Sequence, residues 1–190
     1  MKGHVTILAA APLASSVART FRTLTLLVLA AALSHAQGVT FGGVVRGGGF
    51  YASSGGAAGG VQAGVEGCLL CSGRFGLFAE YSHWFAAERG SGFDRVHSAD
   101  LAGAGLRIQS RRAKSLFFDV GLAGGRDQHS SGRHGGIGGV VIGTGIGIPV
   151  SQHWLIRPQF RAYVLSPHSL EGVELHSVMS GGLGIDYRFR

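Results

Sequence analysis

His97, His129 and His176 are each followed directly by a serine, and histidine and serine are residue types that nucleophilic catalysis requires. The pairs are His97-Ser98, His129-Ser130 and His176-Ser177, and the nearest acids are Asp100 and Glu174. A serine nucleophile needs a histidine within hydrogen-bond reach and an acid that orients the imidazole. Adjacent residues of a β-strand point to opposite faces, so these pairs cannot form that bond if they lie on strands. We therefore expect no catalytic residue and no enzyme activity.

Cys68 and Cys71 form a Cys-Leu-Leu-Cys motif. In an oxidising compartment the pair would form a local disulfide, although closing so short a loop contributes little entropic stabilisation. The alternatives are inert thiols and a redox or metal-binding role. That last role would need a helix N-terminus or cationic neighbours that favour the thiolate. The disulfide is our prediction.

Several histidines lie in or beside segments that we expect to be loops, and imidazole is a common ligand of zinc, copper and nickel. They are His83, His97, His129, His134 and His168. None shows the close, regular spacing of a metal site. We therefore expect no metal and no cofactor.

The C-terminal stretch shows which kind of element carries these groups. Apolar residues fall on one face of an extended strand and polar residues or glycines on the other. The apolar face carries Met179, Leu183, Ile185, Tyr187 and Phe189. The polar face carries Ser180, Gly182, Gly184, Asp186 and Arg188. In a soluble sheet the apolar face would lie in a core. In an outer-membrane barrel it contacts lipid, and the charged face lines the lumen.

Seven further segments show the same alternation, which predicts eight strands. Their ranges are 39–51, 60–68, 74–84, 97–109, 115–125, 137–148, 153–164 and 174–189. Most are long enough for a tilted strand to cross a bilayer, which takes about 9–11 residues. Short connections (68–73, 110–114, 149–152) alternate with longer ones (52–59, 85–96, 126–136, 165–173), as in outer-membrane barrels with short periplasmic turns. The predicted fold class is an all-β, eight-stranded antiparallel up-and-down transmembrane barrel.

Residues 1–36 have the features of an export signal. Arg19 and Arg22 precede an apolar run from Leu24 to Leu33, and small residues end the segment at Ser34-His35-Ala36. The run is too short to span a bilayer as a helix. We predict a cleavable signal peptide over 1–36 and an outer-membrane β-barrel domain over 37–190. The 17 lysines and arginines against 10 acids form no cluster along a helix, so no nucleic-acid partner is expected.

The polar face of the strands contains many charges, which only a lumen would hold. The inward set is Arg46, Glu66, Glu80, Arg107, Asp119, Arg157, Gln159, Arg161, Asp186 and Arg188. Buried charge costs several kcal/mol per ion unless it is paired, and the lumen of eight strands is narrow enough for side chains to fill. We predict that these charges neutralise one another. Gly143, Gly145 and Gly147 would leave room for Arg157, Gln159 and Arg161.

Aromatic residues and one proline complete the pattern. The aromatics near predicted strand ends, where an interfacial girdle would lie, are Tyr81, Trp84, Trp154, Tyr163, Tyr187 and Phe189. Pro158 lies inside the seventh strand and removes a ladder donor, so we expect a local bulge there.

Three segments resemble the outer-membrane β-barrel domain family, similar to the transmembrane domain of outer membrane protein A. They are GLFAEY from Gly76 to Tyr81, WLIRPQFR from Trp154 to Arg161, and GLGIDYRF from Gly182 to Phe189. The resemblance covers the mature chain and implies location in the outer membrane. It also implies an assembly signal at Tyr187 and Phe189, read by the barrel assembly machinery. The family usually ends on that aromatic residue, whereas Arg190 follows here.

These observations predict a non-enzymatic integral outer-membrane barrel with a filled polar lumen, which supports the envelope or presents surface loops. Its expected partners are outer-membrane lipid and lipopolysaccharide, the assembly machinery, and an extracellular ligand at the outer loops. A small, porin-like diffusion pore is the first alternative. A lipid A-modifying barrel enzyme is the second, and the His-x-Ser-Asn element of such enzymes is absent. A lipocalin-like carrier is disfavoured, because an apolar lumen would force these charges outward.

Overall fold

The computed structural model describes residues 38–52, 56–87, 96–110, 115–129, 132, 134–167 and 176–189. The predicted signal peptide, residues 1–36, lies outside this part of the chain, as do Ser130, His168, Glu174 and Arg190. Within the described residues no helix is long and apolar enough to span a membrane.

Eight strands form one closed antiparallel barrel, in which each strand pairs with its neighbours in the sequence and β8 pairs with β1. The strands are β1 Val39–Ala52, β2 Gly56–Leu69, β3 Phe75–Ala86, β4 Val96–Gln109, β5 Ser115–His129, β6 His134–Pro149, β7 Trp154–Pro167 and β8 His176–Phe189. The predicted fold class is confirmed. We call the end with the β2–β3, β4–β5 and β6–β7 turns the lower end, and the opposite end the upper end.

Several strands extend further towards the upper end than the sequence pattern predicts. β2 begins at Gly56, and β5 and β6 continue until Gln128 pairs with His134. The ranges 52–59 and 126–136 are therefore mostly strand rather than loop, and the predicted loops were too long. The physical reason is that hydrogen bonding to a neighbouring strand keeps glycine and polar residues extended, whatever their own weak β-propensity.

No bulge occurs at Pro158, contrary to our expectation. Gln159 pairs with Gly145 and Ile156 pairs with Ile148, so β6 and β7 keep one register on both sides of the proline. The ladder omits Arg157 and Pro158 and then resumes, which accommodates the missing donor without an inserted residue. The register shift in the sheet lies elsewhere, between Val96 and Ser98 where β4 pairs with β5.

The outward positions of the strands form an apolar surface. Large exposed hydrophobic side chains alternate along every strand, among them Leu116, Phe118, Val120 and Leu122 on β5. Among the outward positions of the described strands, the Asp, Glu, Lys and Arg side chains are Asp100 and Arg126, directly opposite each other near the upper end. Such a surface is suited to hydrocarbon rather than water, so the strands cross a membrane.

Placing an arginine within this apolar band should cost more than placing it at the band's edge. Val120→Arg is expected to lower the free energy of unfolding by about 2–4 kcal/mol, because its charge would lie near the bilayer midplane. Gln128→Arg, also outward on β5 but at its upper end, should change it by about 0–1 kcal/mol. Denaturant unfolding in lipid vesicles measures both. Equal losses in the two variants would contradict the membrane-facing assignment.

Candidate functional site in the barrel lumen

Eight of the charged residues that strand parity places in the lumen form ion pairs with one another. They are Arg46, Glu66, Glu80, Arg107, Asp119, Arg157, Arg161 and Asp186, and each is at most 6% exposed. The set contains four guanidinium groups and four carboxylates, so the ionised groups carry no net charge. We call these eight residues the charge network.

Glu66 lies at the centre of the charge network, surrounded by all four arginines. Its carboxylate oxygens are 3.3 Å from Arg46 Nη2, 3.2 Å from Arg157 Nη2 and 3.1 Å from Arg161 Nη2, and Arg107 donates a hydrogen bond to it. A fully buried carboxylate is stable as an anion only with such compensation. Glu66 thus connects arginines from three strands at one point.

The remaining acids pair with the same four arginines. Arg161 is 2.6 Å from Asp119 and 3.2 Å from Glu80. Arg107 holds Asp119 with two hydrogen bonds of 2.8 and 2.7 Å, the bidentate geometry that makes arginine–carboxylate pairs strong. Separately, Arg46 Nη2 is 2.9 Å from Glu80 Oε2, and Arg157 Nη1 is 2.8 Å from Asp186 Oδ2. Every acid of the network is therefore paired.

Two buried phenylalanines support the arginines from the side. The guanidinium carbon of Arg107 lies 4.2 Å from the centre of the Phe117 ring, and that of Arg157 lies 5.7 Å from the same ring. Arg161 lies 4.9 Å from the ring of Phe78. At these distances the negative face of the ring attracts the cation. Inward aromatic residues thus hold the guanidinium groups in place.

Inward glycines on β6 provide space, although not always for the predicted neighbours. A methyl group at Gly143 would overlap the guanidinium group of Arg161, as expected. At Gly145 it would instead meet the Pro158 carbonyl oxygen and the Phe117 ring, and at Gly147 the Ser115 hydroxyl. The nearest atoms at these two glycines thus belong to residues other than Arg157 and Gln159. Side chains lean along the strands in a tilted barrel, so the nearest neighbour cannot be identified from the strand order alone.

Arg188 lies apart from the charge network, although the sequence pattern grouped it there. It lies on the inward face of β8 at the lower end, and no carboxylate of the described residues lies within 4.0 Å of it. Its backbone N–H donates to the His153 carbonyl at 2.7 Å. Gln159 is buried, but its amide atoms have no hydrogen-bond partner among the described residues.

An uncharged polar layer lies above the charge network. Gln62 donates to the hydroxyls of Ser82 at 2.6 Å and Tyr163 at 3.2 Å, and accepts from Ser180 at 2.8 Å. Tyr163 in turn donates to Glu80 at 2.6 Å, which joins this layer to the charges below. Ser180 was predicted to lie on the polar face of its strand, whereas the inward positions of Gln62 and Ser82 were not predicted, although Gln62 has the same strand parity as Glu66. Their even-numbered spacing from Glu66 and Glu80 on the same strands would have predicted that they face inward.

Apolar side chains close the lumen above this layer. They are Phe50, Trp84, Leu101, Ile137, Val141, Leu165 and Val178, and each is at most 2% exposed. Phe50 and Trp84 pack with their ring centres 5.3 Å apart. We call these seven residues the apolar plug.

The structure corrects the predicted aromatic girdle at two positions. Trp84 and Tyr163 are fully buried inside the barrel, so they cannot lie at the lipid interface. Their parity is that of Glu80 and Arg161, and an inward position on the strand outweighs the preference of aromatics for interfaces. Tyr81, Trp154 and Phe189 do face outward and are exposed.

Two histidines and an aspartate lie at the upper end of the lumen. His129 Nε2 is 3.2 Å from Asp127 Oδ2, and His176 Nδ1 is 3.5 Å from the same oxygen. Their positions do not form a metal-binding group, and the described residues contain no other such group. His129 and His134 lie at strand ends rather than within a loop.

One polar contact on the outer surface was not anticipated. Tyr81 donates to the carboxylate of Asp100 at 2.8 Å, and His83 Nδ1 lies 2.8 Å from the same oxygen. Ser98, on the same face, donates to Gln128 at 3.4 Å. The β3–β4 register pairs His83 with Asp100, a relation that depends on both strands at once and is invisible in either alone.

Cys68 and Cys71 are joined by a disulfide in the β2–β3 turn, with their Cα atoms 5.9 Å apart. Leu70 adopts a left-handed backbone there, with φ of 60°. Further hydrogen bonds hold the turn in place: the Cys71 N–H donates to Gly38 at 2.8 Å, and Gln109 donates to Gly73 at 3.0 Å. The disulfide thus lies in a turn that is also held by the start of β1 and the end of β4.

The segment predicted as the assembly signal lies at the lower end of β8. The Tyr187 ring is 5.0 Å from Phe189 and 5.3 Å from Trp154, and it stacks on His153 at 5.5 Å. These aromatics form one cluster across the ends of β7 and β8. Recognition of Tyr187 and Phe189 by the assembly machinery stays a prediction.

Solved structures with similar backbones are small outer-membrane barrels. Neisserial surface protein A matches with a TM-score of 0.67 and 12% identity over 80% of this chain and 98% of its own. The N-terminal β-barrel domain of Pseudomonas aeruginosa OprF matches with a TM-score of 0.52 and 14% identity over 82% of this chain and 100% of its own. Ail of Yersinia pestis matches with a TM-score of 0.51 and 14% identity over 80% of this chain and 97% of its own. No protein-family model matches the sequence, and no curated protein does.

At these identities the comparisons establish the fold and leave the activity open. The chain has the architecture of the small eight-stranded outer-membrane barrels, as the resemblance implied. This architecture and the apolar outer surface agree with the predicted outer-membrane location.

Removing Arg161 should strongly destabilise the barrel. Arg161→Gln would leave Glu66, Glu80 and Asp119 with one cation fewer, and breaking a buried ion pair from one side costs about 3–5 kcal/mol. Arg126→Gln removes the same charge from the outer surface near the upper end and should have little effect. Denaturant midpoints in detergent micelles measure both. Similar midpoints for the two variants would show that the charge network does not stabilise the fold.

A methyl group at Gly143 should also destabilise the barrel. Gly143→Ala would push the Arg161 guanidinium out of its ion pairs, and overpacking of this kind costs about 1–3 kcal/mol. Gly47→Ala is the matched control, because no atom lies within 4 Å of a methyl group built at that outward glycine. Unfolding midpoints test the pair. A Gly143→Ala protein as stable as Gly47→Ala would refute the close contact with Arg161.

Proposed function

We propose that this chain is a non-enzymatic integral protein of the outer membrane with a closed lumen, which supports the envelope and presents its upper loops to the outside. The observation that carries the proposal is the filling of the lumen. The charge network, the uncharged polar layer and the apolar plug follow one another along the barrel axis. Inward side chains can fill an eight-stranded barrel, whereas conducting barrels have more strands.

Two different observations argue against the pore and against the enzyme. A diffusion pore needs a continuous aqueous path, and the apolar plug stands across it. A lipid A-modifying enzyme needs an activated nucleophile. Ser98 instead donates to Gln128, while Asp100 binds His83 and Tyr81. Neither alternative gains a specific supporting observation.

The upper loops are the remaining part of the chain through which a partner outside the cell would be bound. By sequence, residues 88–95 and 168–175 carry charged, serine and glycine residues, the composition of solvent-facing loops. Ail, the attachment invasion locus protein of Yersinia pestis, shares this fold. We propose that the barrel is a scaffold for these loops, with lipid and lipopolysaccharide around its wall and the assembly machinery as its insertion partner.

Planar-bilayer recording tests whether the lumen is closed. The wild-type protein should insert without stable conductance steps, because the apolar plug and the charge network exclude water and ions. Trp84→Ala removes the largest side chain of the plug, and Phe85→Ala is the matched outward control. Discrete steps in the wild type, altered by Trp84→Ala and unaltered by Phe85→Ala, would identify the lumen as a conducting path and overturn the proposal.

A further inference from the structure

A small cavity lies at the lower end of the lumen, beneath the charge network. It has a volume of about 40 Å³, enough for a few water molecules or one small ion. Three arginines line it, Arg107, Arg157 and Arg188, together with the hydroxyl-bearing residues Thr40 and Ser115. Among its polar lining groups hydrogen-bond donors therefore predominate, while Phe117 and Leu155 contribute apolar wall.

The charges around this cavity do not balance. Asp186 is the single acid in the lining, and Arg157 already pairs with it at 2.8 Å. Arg107 is paired with Asp119 and Glu66 on the side of the charge network. Arg188 has no carboxylate partner within 4.0 Å among the described residues. The cavity thus has a surplus of positive charge inside a narrow, low-dielectric lumen, where a fixed charge acts strongly.

We propose that the cavity binds one small oxyanion, with inorganic phosphate as the ligand to test. Guanidinium groups bind phosphate oxygens through paired, charge-assisted hydrogen bonds, and hydroxyl donors add to them. The anion would balance Arg188 in the way that the carboxylates balance the other four lumen arginines. The volume of about 40 Å³ suits a single small ion, so the ligand to test is a free ion.

Isothermal titration calorimetry of the folded protein in an uncharged detergent tests this proposal. Phosphate is titrated at constant ionic strength set with sodium chloride, and sulfate is titrated in parallel. The wild type should bind one phosphate per barrel. Arg188→Gln should weaken that binding by about tenfold or more, because a hydrogen bond to a charged group is lost.

Arg126→Gln is the matched control, since it removes an arginine near the opposite end of the barrel and should leave phosphate binding unchanged. Ser115→Ala is a second cavity variant in case Arg188→Gln does not fold, and it should also weaken binding. Binding of sulfate as well as phosphate would support a general oxyanion site. Absence of saturable binding to the wild type, or equal binding to the cavity variants and Arg126→Gln, would overturn the proposal.

Discussion

The charge network depends on one constraint, that each of its buried ions has an opposite charge beside it. Glu66 forms ion pairs with four arginines, and each of the other acids of the charge network forms an ion pair with at least one. The arginines come from β1, β4 and β7, and the acids from β2, β3, β5 and β8, so ion pairs join seven of the eight strands. β6 contributes space instead, through Gly143. The network therefore acts across the barrel axis, where backbone hydrogen bonds between neighbouring strands cannot.

The lumen excludes water in two different ways along its length. In the lower part, paired charges replace the hydration that each ion loses. In the upper part, Phe50, Trp84 and their neighbours exclude water as an ordinary hydrophobic core does. Tyr163 links the two regions, because its ring lies at the plug and its hydroxyl binds Glu80. A barrel whose lumen is closed can act only through its outer wall and its loops. This is the reason for proposing that it supports the envelope and presents its upper loops.

Residue alternation predicted the wall of the barrel well, and its failures have physical causes. The eight residues of the charge network lie inward as their parity required. Trp84 and Tyr163 were misplaced because their residue type was weighed above their parity. The strand ends at Gly56, His129 and His134 were missed because pairing with a neighbouring strand, which a single segment does not reveal, keeps weak β-formers extended.

The sequence by itself determined the fold class and the identity of the inward charges, because a period of two assigns each side chain to one face. Only the closed barrel decided which charges pair, for example Arg161 with Asp119 rather than with its nearest acid in the sequence. Tertiary structure also decided that Arg188 stays outside the charge network and that Gly145 accommodates Phe117. These relations depend on strand tilt and stagger, which bring residues far apart in the chain to the same height in the lumen.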